Sequence, residues 1–154
     1  TSVQQPHLAT GRGGIHRSVT FEAMTSAPDA PTLADFWAEY RLCMLATPRR
    51  DGSIHLVPVG ATYDVEAGLV RVIASGTSAK AKMLTARPGT RVSLSQVEGR
   101  WWTTIEGPAT VSKDPERVAE AVRRYAERYR QPRENAERIV IEIVVERTLG
   151  NVTG

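Results

Sequence analysis

The strongest constraint on the fold is a series of six strand-like segments joined mostly by turns. These segments are rich in β-branched residues or alternate polar with apolar residues, and they cover 41–47, 53–63, 69–74, 90–97, 100–113 and 138–147. A parallel sheet needs a crossover, usually a helix, between successive strands, and too few helices separate these segments. The order therefore predicts an antiparallel sheet closed into a small barrel, mainly β with a few helices.

Three helices are predicted from capping residues and from the spacing of apolar positions. Thr32 opens the first helix, whose buried side is expected to comprise Leu33, Phe36, Trp37 and Tyr40. The second runs through 79–84 and ends at Pro88-Gly89. Asp114-Pro115 begins the longest helix, and Pro132 ends it. Its apolar face is expected to pack inward, and its charged face, which includes Arg128, to point to solvent.

Particular residues within the strands carry further expectations. Pro58 indicates an edge strand or a bulge, because proline has no N–H for a sheet ladder. Gly107-Pro108 is expected to break the segment 100–113. In the last segment the isoleucines should face inward and Glu142 and Glu146 outward.

Length and composition favour one domain preceded by an arm. The 154 residues suit a single domain. Residues 1–31 show no lasting period of 2 or 3.6 and are predicted to form an N-terminal arm, which leaves 32–154 as the barrel domain. Cys43 is the only cysteine, and no apolar run approaches the roughly 20 residues of a membrane span. A cytoplasmic protein without membrane contact is therefore expected.

The net charge of +3 allows several anionic partners, or none. Nucleic acid, membrane phosphate and a small polyanionic ligand could each use it, and so could solubility alone. Nucleic acid is not expected, because Glu120 and Glu127 interrupt the arginine-rich face of the long helix.

No common catalytic constellation is present in the side chains. The histidines are His7, His16 and His55, two of them in the arm, so no metal site is expected. There is no C-x-x-C, nucleophile elbow or P-loop. No catalytic residue can be named, and an enzyme of this composition would take its reactive atoms from a cofactor.

A turn leading into the second helix is the most suggestive candidate site. Gly76, Thr77 and Ser78 precede Lys80 and Lys82. Free N–H groups at a helix start, hydroxyls and lysines together can bind a phosphate. The same residues could equally form an ordinary helix cap with solvated lysines.

Three other groups of residues could border a ligand. The strand residues His55, Leu56, Val57, Pro58 and Val59 offer an exposed edge for a flat ring, or form an ordinary bulged edge. Trp101 and Trp102 must point to opposite faces, so that one fills the barrel and the other, with Gln96 nearby, lines a groove or a subunit interface. Arg130 and Arg133 lie beyond the long helix and could bind carboxylates.

Three stretches of the sequence carry a resemblance to a known family. They are RLCMLATPRRDGSIHLVPVGATYD (41–64), TSAKAKML (77–84), and LSQVEGRWWTTIEGPATV followed by RYAERYRQPRENAERIVIEIVVERTLG (94–111 and 124–150). The chain resembles the pyridoxamine-phosphate-oxidase-like split-barrel family, in the actinobacterial branch that uses the deazaflavin coenzyme F420. The resemblance implies a homodimeric split β-barrel with the cofactor at the dimer interface. It also implies hydride transfer from reduced F420 to a conjugated small molecule such as biliverdin.

The resemblance also implies roles for individual residues. Ser78 and Lys80 would hold the cofactor phosphate with Lys82 nearby, and the ring system would pack on 55–59 with Gln96 at its border. Arg130 and Arg133 would reach from the partner subunit toward carboxylates of the tail or substrate. Two alternatives remain open: an FMN-binding oxidase or reductase of the same fold, and a non-catalytic protein that binds F420, a flavin or a tetrapyrrole.

Overall fold

The computed structural model describes residues 20–23 and 29–154, and this part of the chain forms nine strands and three helices. The strands are β1 (Thr20–Ala23), β2 (Cys43–Pro48), β3 (Ile54–Val59), β4 (Ala61–Asp64), β5 (Leu69–Ser75), β6 (Thr90–Glu98), β7 (Trp101–Ser112), β8 (Arg138–Val144) and β9 (Arg147–Gly150). The helices are α1 (Leu33–Ala38), α2 (Ala79–Ala86) and α3 (Pro115–Arg128). No helix in this part is long and apolar enough to cross a membrane.

The strands form one curled sheet, and the two strands at its ends, β3 and β4, are consecutive in the chain. The order is β3-β2-β6-β7-β8-β5-β4, and all these neighbours are antiparallel. Only Gly60 separates β3 from β4, so the sheet must curve until its first and last strands meet. The predicted antiparallel, mainly β architecture is confirmed, and the edge position predicted from Pro58 is confirmed as well.

Apolar residues from alternate strand positions fill the inside of this sheet. On β6, Val92, Leu94 and Gln96 are buried while the residues between them are not, as the alternation predicted. Fully burying one Leu, Ile or Val side chain stabilises the fold by about 1.5–3 kcal/mol. The largest fully buried side chains are Leu45, Leu84, Leu94, Ile105, Ile139, Ile141, Ile143, Val70, Val72, Val92, Val140 and Val152.

The expected break at Gly107-Pro108 is wrong, because β7 continues through it for 12 residues. These residues mark a change of partner instead. Residues 103–106 of β7 pair with β9, and residues 109–112 pair with β8. A Cβ atom on Gly107 would lie only 1.8 Å from the carbonyl oxygen of Val144, so glycine is required by close packing of two backbones.

Two predicted strands are divided in the structure. The segment 53–63 bends at Gly60 into β3 and β4, and the segment 138–147 ends at Val144 before β9 begins. Glu142 was expected to face solvent, but it is buried. Its carboxylate accepts a 2.6 Å hydrogen bond from Arg117 of α3, which compensates the charge.

Two further expectations about helices are wrong. Tyr40 lies beyond the end of α1 at Ala38 and is 66% exposed rather than buried. Arg128 was expected on the solvent face of α3 but is only 7% exposed. Its guanidinium stacks over Trp37, and nearby carbonyl oxygens accept its hydrogen bonds. The helical period alone could not reveal this burial, since an acceptor from another element is required.

The predicted arm is only partly described by the structure. Thr20–Ala23 forms a strand parallel to β9, although no local period indicated one. The carboxylate of Asp29 forms an ion pair with Arg100, and the Pro31 carbonyl accepts from the N–H of Thr153. The rest of the arm, with His7 and His16, lies outside the described residues, and its separation from the barrel domain stays a prediction.

Candidate functional site

A cavity of about 290 Å³ opens where β3, β5, α2, α3 and the α3–β8 connection meet. One wall is largely apolar, and the other carries hydroxyl, amide and cationic groups. The lining residues are Pro58, Val59, Gly60, Ile73, Ala74, Ser75, Lys80, Tyr125, Pro132, Asn135 and Arg138. Part of the predicted strand site and part of the predicted phosphate turn therefore lie in one cavity.

The predicted phosphate turn forms a hydrogen-bonded helix cap. The Ser78 hydroxyl donates to the Ser75 carbonyl at 2.8 Å and accepts from the Ala81 N–H at 3.3 Å. Ser75 and Thr77 share a hydrogen bond between their hydroxyls at 2.9 Å. Because the Ser78 proton is already donated, that hydroxyl has no donor left for a phosphate unless it rotates. The N–H groups of the first turn of α2 stay outside the intrahelical ladder.

Lys80 is the residue of this turn that reaches the cavity lining. Its ammonium is about half-buried, and desolvation lowers its pKa below the ordinary value of 10.5. Gly76, Thr77, Ser78 and Lys82 do not line the cavity, and Lys82 is exposed. The turn therefore supplies one cation to the cavity.

The predicted ring-binding strand contributes its C-terminal end. Pro58 and Val59 line the cavity, whereas Leu56 is exposed on the outer face of the sheet. Val57 packs against the core. His55, two residues earlier on the same face of the strand, is half-buried. Nδ1 of His55 has no hydrogen-bond partner in the described part of the chain. The three residues at 55–57 thus flank the cavity rather than line it.

Helix α3 fixes the bend that shapes this wall. The Tyr129 hydroxyl accepts from the Ala61 N–H at 3.0 Å and donates to the Arg41 carbonyl at 2.7 Å. Arg128 Nη1 donates to the carbonyl of the same Ala61 at 2.7 Å. A Cβ atom on Gly60 would lie 2.5 Å from the ring of Tyr125, so the helix and the bend are in close contact.

Gln96 lies inside the barrel and not at the cavity. It is 2% exposed, and its Oε1 accepts from Arg128 Nη2 at 2.6 Å. Arg128 also contacts the Glu39 carbonyl, and it forms no salt bridge within the described residues. Burial raises the pKa of the Cys43 thiol and of the Tyr129 phenol, so both groups beside this arginine stay protonated at neutral pH.

Arg138 and Asn135 line the cavity but were not identified from the sequence. Arg138 is the cross-strand partner of Ser75, which opens the phosphate turn. Its Nη2 donates to the Arg133 carbonyl at 2.5 Å, which orients the guanidinium. The pairing of β5 with β8 is non-local, and a lone arginine at a strand start gives no signal of it. Arg130 and Arg133 are exposed and do not line the cavity.

The two tryptophans point to opposite faces, as predicted. Trp101 packs against the core, with the Arg100 guanidinium 4.3 Å from its ring centre. Trp102 pairs with Val97, whose side chain is on the outer face of the sheet. That face carries large apolar side chains that are 41% to 65% exposed, on neighbouring strands and, for Leu42, just before β2: Leu42, Met44, Ile54, Leu56 and Val97.

Within the described residues, no group of three or more His, Cys, Asp or Glu side chains is placed to hold a metal ion. The cavity instead combines an apolar wall with two cations, Lys80 and Arg138. Such a site suits an organic ligand that carries negative charge.

Comparison with known proteins identifies a family and a curated relative. The family model described as pyridoxamine 5'-phosphate oxidase matches residues 30–151. A curated relative, the F420H(2)-dependent biliverdin reductase of Mycobacterium tuberculosis, is 47% identical over 116 residues, which is 75% of this chain and 83% of the relative.

Solved structures share the fold. A conserved hypothetical protein of Mycobacterium tuberculosis is 26% identical and superposes with a TM-score of 0.65, covering 82% of this chain and 89% of that one. A structure titled F420 reductase is 19% identical with a TM-score of 0.58, covering 77% of this chain and 97% of that one. The second likeness concerns the fold alone.

Proposed function

Because the chain belongs to the pyridoxamine 5'-phosphate oxidase family, we propose that it is an F420-dependent reductase acting on a conjugated small molecule, with biliverdin as the first candidate. The 47% identity to a curated F420H(2)-dependent biliverdin reductase supports the cofactor and the reaction class. The single structural observation that carries the proposal is the half-buried Lys80 at the start of α2, facing an apolar wall across one cavity.

The residues of the cavity fit a phosphorylated deazaflavin. Lys80 has no carboxylate within salt-bridge distance among the described residues, so its charge is available to a ligand. Desolvation of Lys80 makes an unpaired cation costly, and an anion beside it would recover part of that cost. Pro58, Val59 and Ile73 offer apolar surface for a flat ring system.

In this proposal Lys80 binds the cofactor phosphate together with the first-turn N–H groups of α2. The segment 55–59 supports the ring system through its Pro58 end, and Tyr129 at the C-terminal end of α3 holds the bend at Gly60 in place. When bound, F420 supplies a hydride. The chain itself contributes orientation and exclusion of water, and none of its side chains is assigned as proton donor.

We include a homodimer in the proposal. The outer face of β2, β3 and β6 carries the exposed side chains of Met44, Ile54, Leu56 and Val97, and Leu42 lies just before β2. Exposed apolar side chains grouped on one face often mark an interface with another protein. Pro58 lies on the same strand face as Leu56 and also lines the cavity, so a second copy seated on this face would border the cofactor. Trp102, Arg130 and Arg133 are then candidates for contacts with the substrate or the partner subunit.

The proposal also covers the domain organisation and the cellular compartment. Residues 32–154 are taken as the cofactor-binding domain and 1–31 as an arm. The single cysteine, Cys43, is buried, which suits a protein of the reducing cytoplasm.

A titration with matched variants tests the cofactor site. Purified protein is titrated with F420 and separately with FMN, following deazaflavin or flavin fluorescence. We expect F420 to bind, and Lys80→Ala to weaken its binding about tenfold or more, since a charge-assisted contact is lost. Lys113→Ala removes the same charge from an exposed position and should leave the affinity unchanged. Tight FMN binding without F420 binding would transfer the proposal to a flavin enzyme.

Turnover separates an enzyme from a binding protein. Reduced F420 and biliverdin are mixed with the protein, and the loss of verdin absorbance is followed against a control without protein. A panel of other oxidised conjugated compounds run beside biliverdin identifies a different substrate. Binding of F420 without turnover of any of these compounds would favour the non-catalytic alternative.

A further inference from the structure

A second cation lines the same cavity as Lys80 and comes from a different element. Arg138 is the first residue of β8 and lies across from Ser75, the residue that opens the turn before α2. Neither cation forms a salt bridge with any described residue. The carboxylates of Glu134 and Glu137 lie in the same connection, but both residues are exposed and do not line the cavity.

One negative charge does not match this arrangement. The phosphate of F420 is a diester and carries a single negative charge, which Lys80 and the helix start can balance. The second half-buried cation of the same cavity, Arg138, would then remain unpaired, at a cost in free energy. The ligand that fits both cations carries a second anionic group a short distance from its phosphate. F420 has such groups, since the glutamate tail that is linked through its phosphate carries carboxylates.

The chemistry of the two cations also distinguishes their ligands. A lysine ammonium is a point charge, whereas a guanidinium presents a planar pair of donors that matches a carboxylate. Arg138 Nη2 donates a hydrogen bond to the Arg133 carbonyl, and this contact fixes the plane of the guanidinium. Asn135 adds an amide to the same end of the cavity, with its Oδ1 oriented by the N–H of Glu137.

We propose that Arg138 binds a carboxylate of the glutamate tail of F420, so that separate cations of the cavity bind the phosphate and the tail. This inference rests on the proposed function. It makes Arg138 a determinant of preference for the tail-bearing cofactor, distinct from Lys80, which serves the phosphate.

The test compares ligands with and without the tail. Dissociation constants are measured by fluorescence titration for F420 and for the methyl diester of the deazaflavin 5'-phosphate, which keeps the singly charged phosphate but lacks the tail. We expect wild type to prefer F420. Arg138→Gln should lower F420 affinity about tenfold while changing the affinity for the methyl diester less than threefold. Lys80→Ala should weaken both ligands.

Control variants separate this role from a general effect of charge or folding. Arg91→Gln removes an exposed arginine that pairs with Glu146 and should leave both affinities unchanged. Arg138→Lys keeps the charge without the planar pair of donors and should retain part of the preference for the tail. If the circular-dichroism melt shows that Arg138→Gln does not fold, the affinities of Arg138→Lys for the two ligands test the role of Arg138 instead.

Three outcomes would overturn the inference. Equal weakening of both ligands in Arg138→Gln or Arg138→Lys would assign the arginine to the phosphate or to the fold. Unchanged F420 affinity in Arg138→Gln would remove the contact altogether. Wild type that binds neither ligand would instead refute the proposed function, and the inference with it.

Discussion

The Tyr129 hydroxyl offers a sharp test of how the barrel is closed. It accepts from the N–H of Ala61 at 3.0 Å and donates to the carbonyl of Arg41 at 2.7 Å, so it ties the bend after Gly60 to the chain before β2. Tyr129→Phe keeps the ring, which stacks on Tyr125 with centres 4.8 Å apart, and removes only these hydrogen bonds. The variant therefore isolates the polar part of the contact.

The magnitude follows from the group that loses its partner. Ala61 is fully buried, so without the hydroxyl its N–H remains unpaired inside the protein. An unsatisfied buried donor costs about 1–3 kcal/mol. The Ala61 carbonyl keeps its bond from Arg128 and adds little to the loss. For a domain of this size, a loss of about 2 kcal/mol lowers the melting temperature by about 4–8 °C.

The assay is reversible urea unfolding with a thermal melt beside it, both at one fixed protein concentration because dimerisation would shift apparent stability. Tyr40→Phe is the matched control: its ring is 5.2 Å from that of Tyr129, but Tyr40 is 66% exposed. We expect Tyr40→Phe to change the free energy of unfolding by less than about 0.5 kcal/mol. Equal small effects of the two variants would show that the hydroxyl does not hold the bend.

Two more predictions concern the surface. Leu56→Glu places a charge in the exposed apolar face and should convert a dimer to monomers in analytical ultracentrifugation, whereas a dimer that persists would locate the interface elsewhere. Hydrogen bonds from Arg123 and Arg124 lower the pKa of Glu120 from 4.5 to about 2. The folded state therefore gains stability from this carboxylate above pH 4.5 and loses it as the pH falls toward 2. Because Glu120 is on the surface, the loss should be under about 1 kcal/mol, and Glu120→Gln should lose less stability than wild type between pH 6 and pH 3 in urea titrations.

The sequence predicted elements whose signals are local. Asp114 caps α3 by accepting from the N–H of Glu116, and Ser78 caps α2, as their positions before apolar or helical segments indicated. The alternation in 90–97 gave the buried face of β6 correctly. In each of these, the residues that carry the signal lie within a few positions of the structure they form.

Features that depend on distant partners were predicted poorly. Gly107 was interpreted as a break because its close approach to Val144 is set by a strand about 40 residues away in sequence. The short β1 has no period of its own and exists through parallel pairing with β9. Arg128 and Glu142 carry charges that usually indicate solvent, yet their acceptor and donor groups on other elements allow burial.

In the candidate site, too, residues with local sequence signals were identified and those that depend on distant partners were not. Lys80 and Pro58 were identified because a helix start and a proline within a strand are local signals, and the structure brings both to one cavity. Arg138 was missed because its relation to the turn at Ser75 exists only through the pairing of β5 with β8. Gln96 was expected at the cofactor groove, but the buried Arg128 holds it inside the barrel.

The residues on the two sides of the cavity differ in how readily they can be substituted without loss of stability. Gly60 and Tyr125 belong to the closure of the barrel, so substitutions there would disturb folding as well as the ligand. Pro132 and Asn135 lie outside helices and strands, where most substitutions change stability by less than about 0.5 kcal/mol. Descendants of this chain could therefore acquire new ligand preferences by drift in residues 132–137 while the scaffold stays intact.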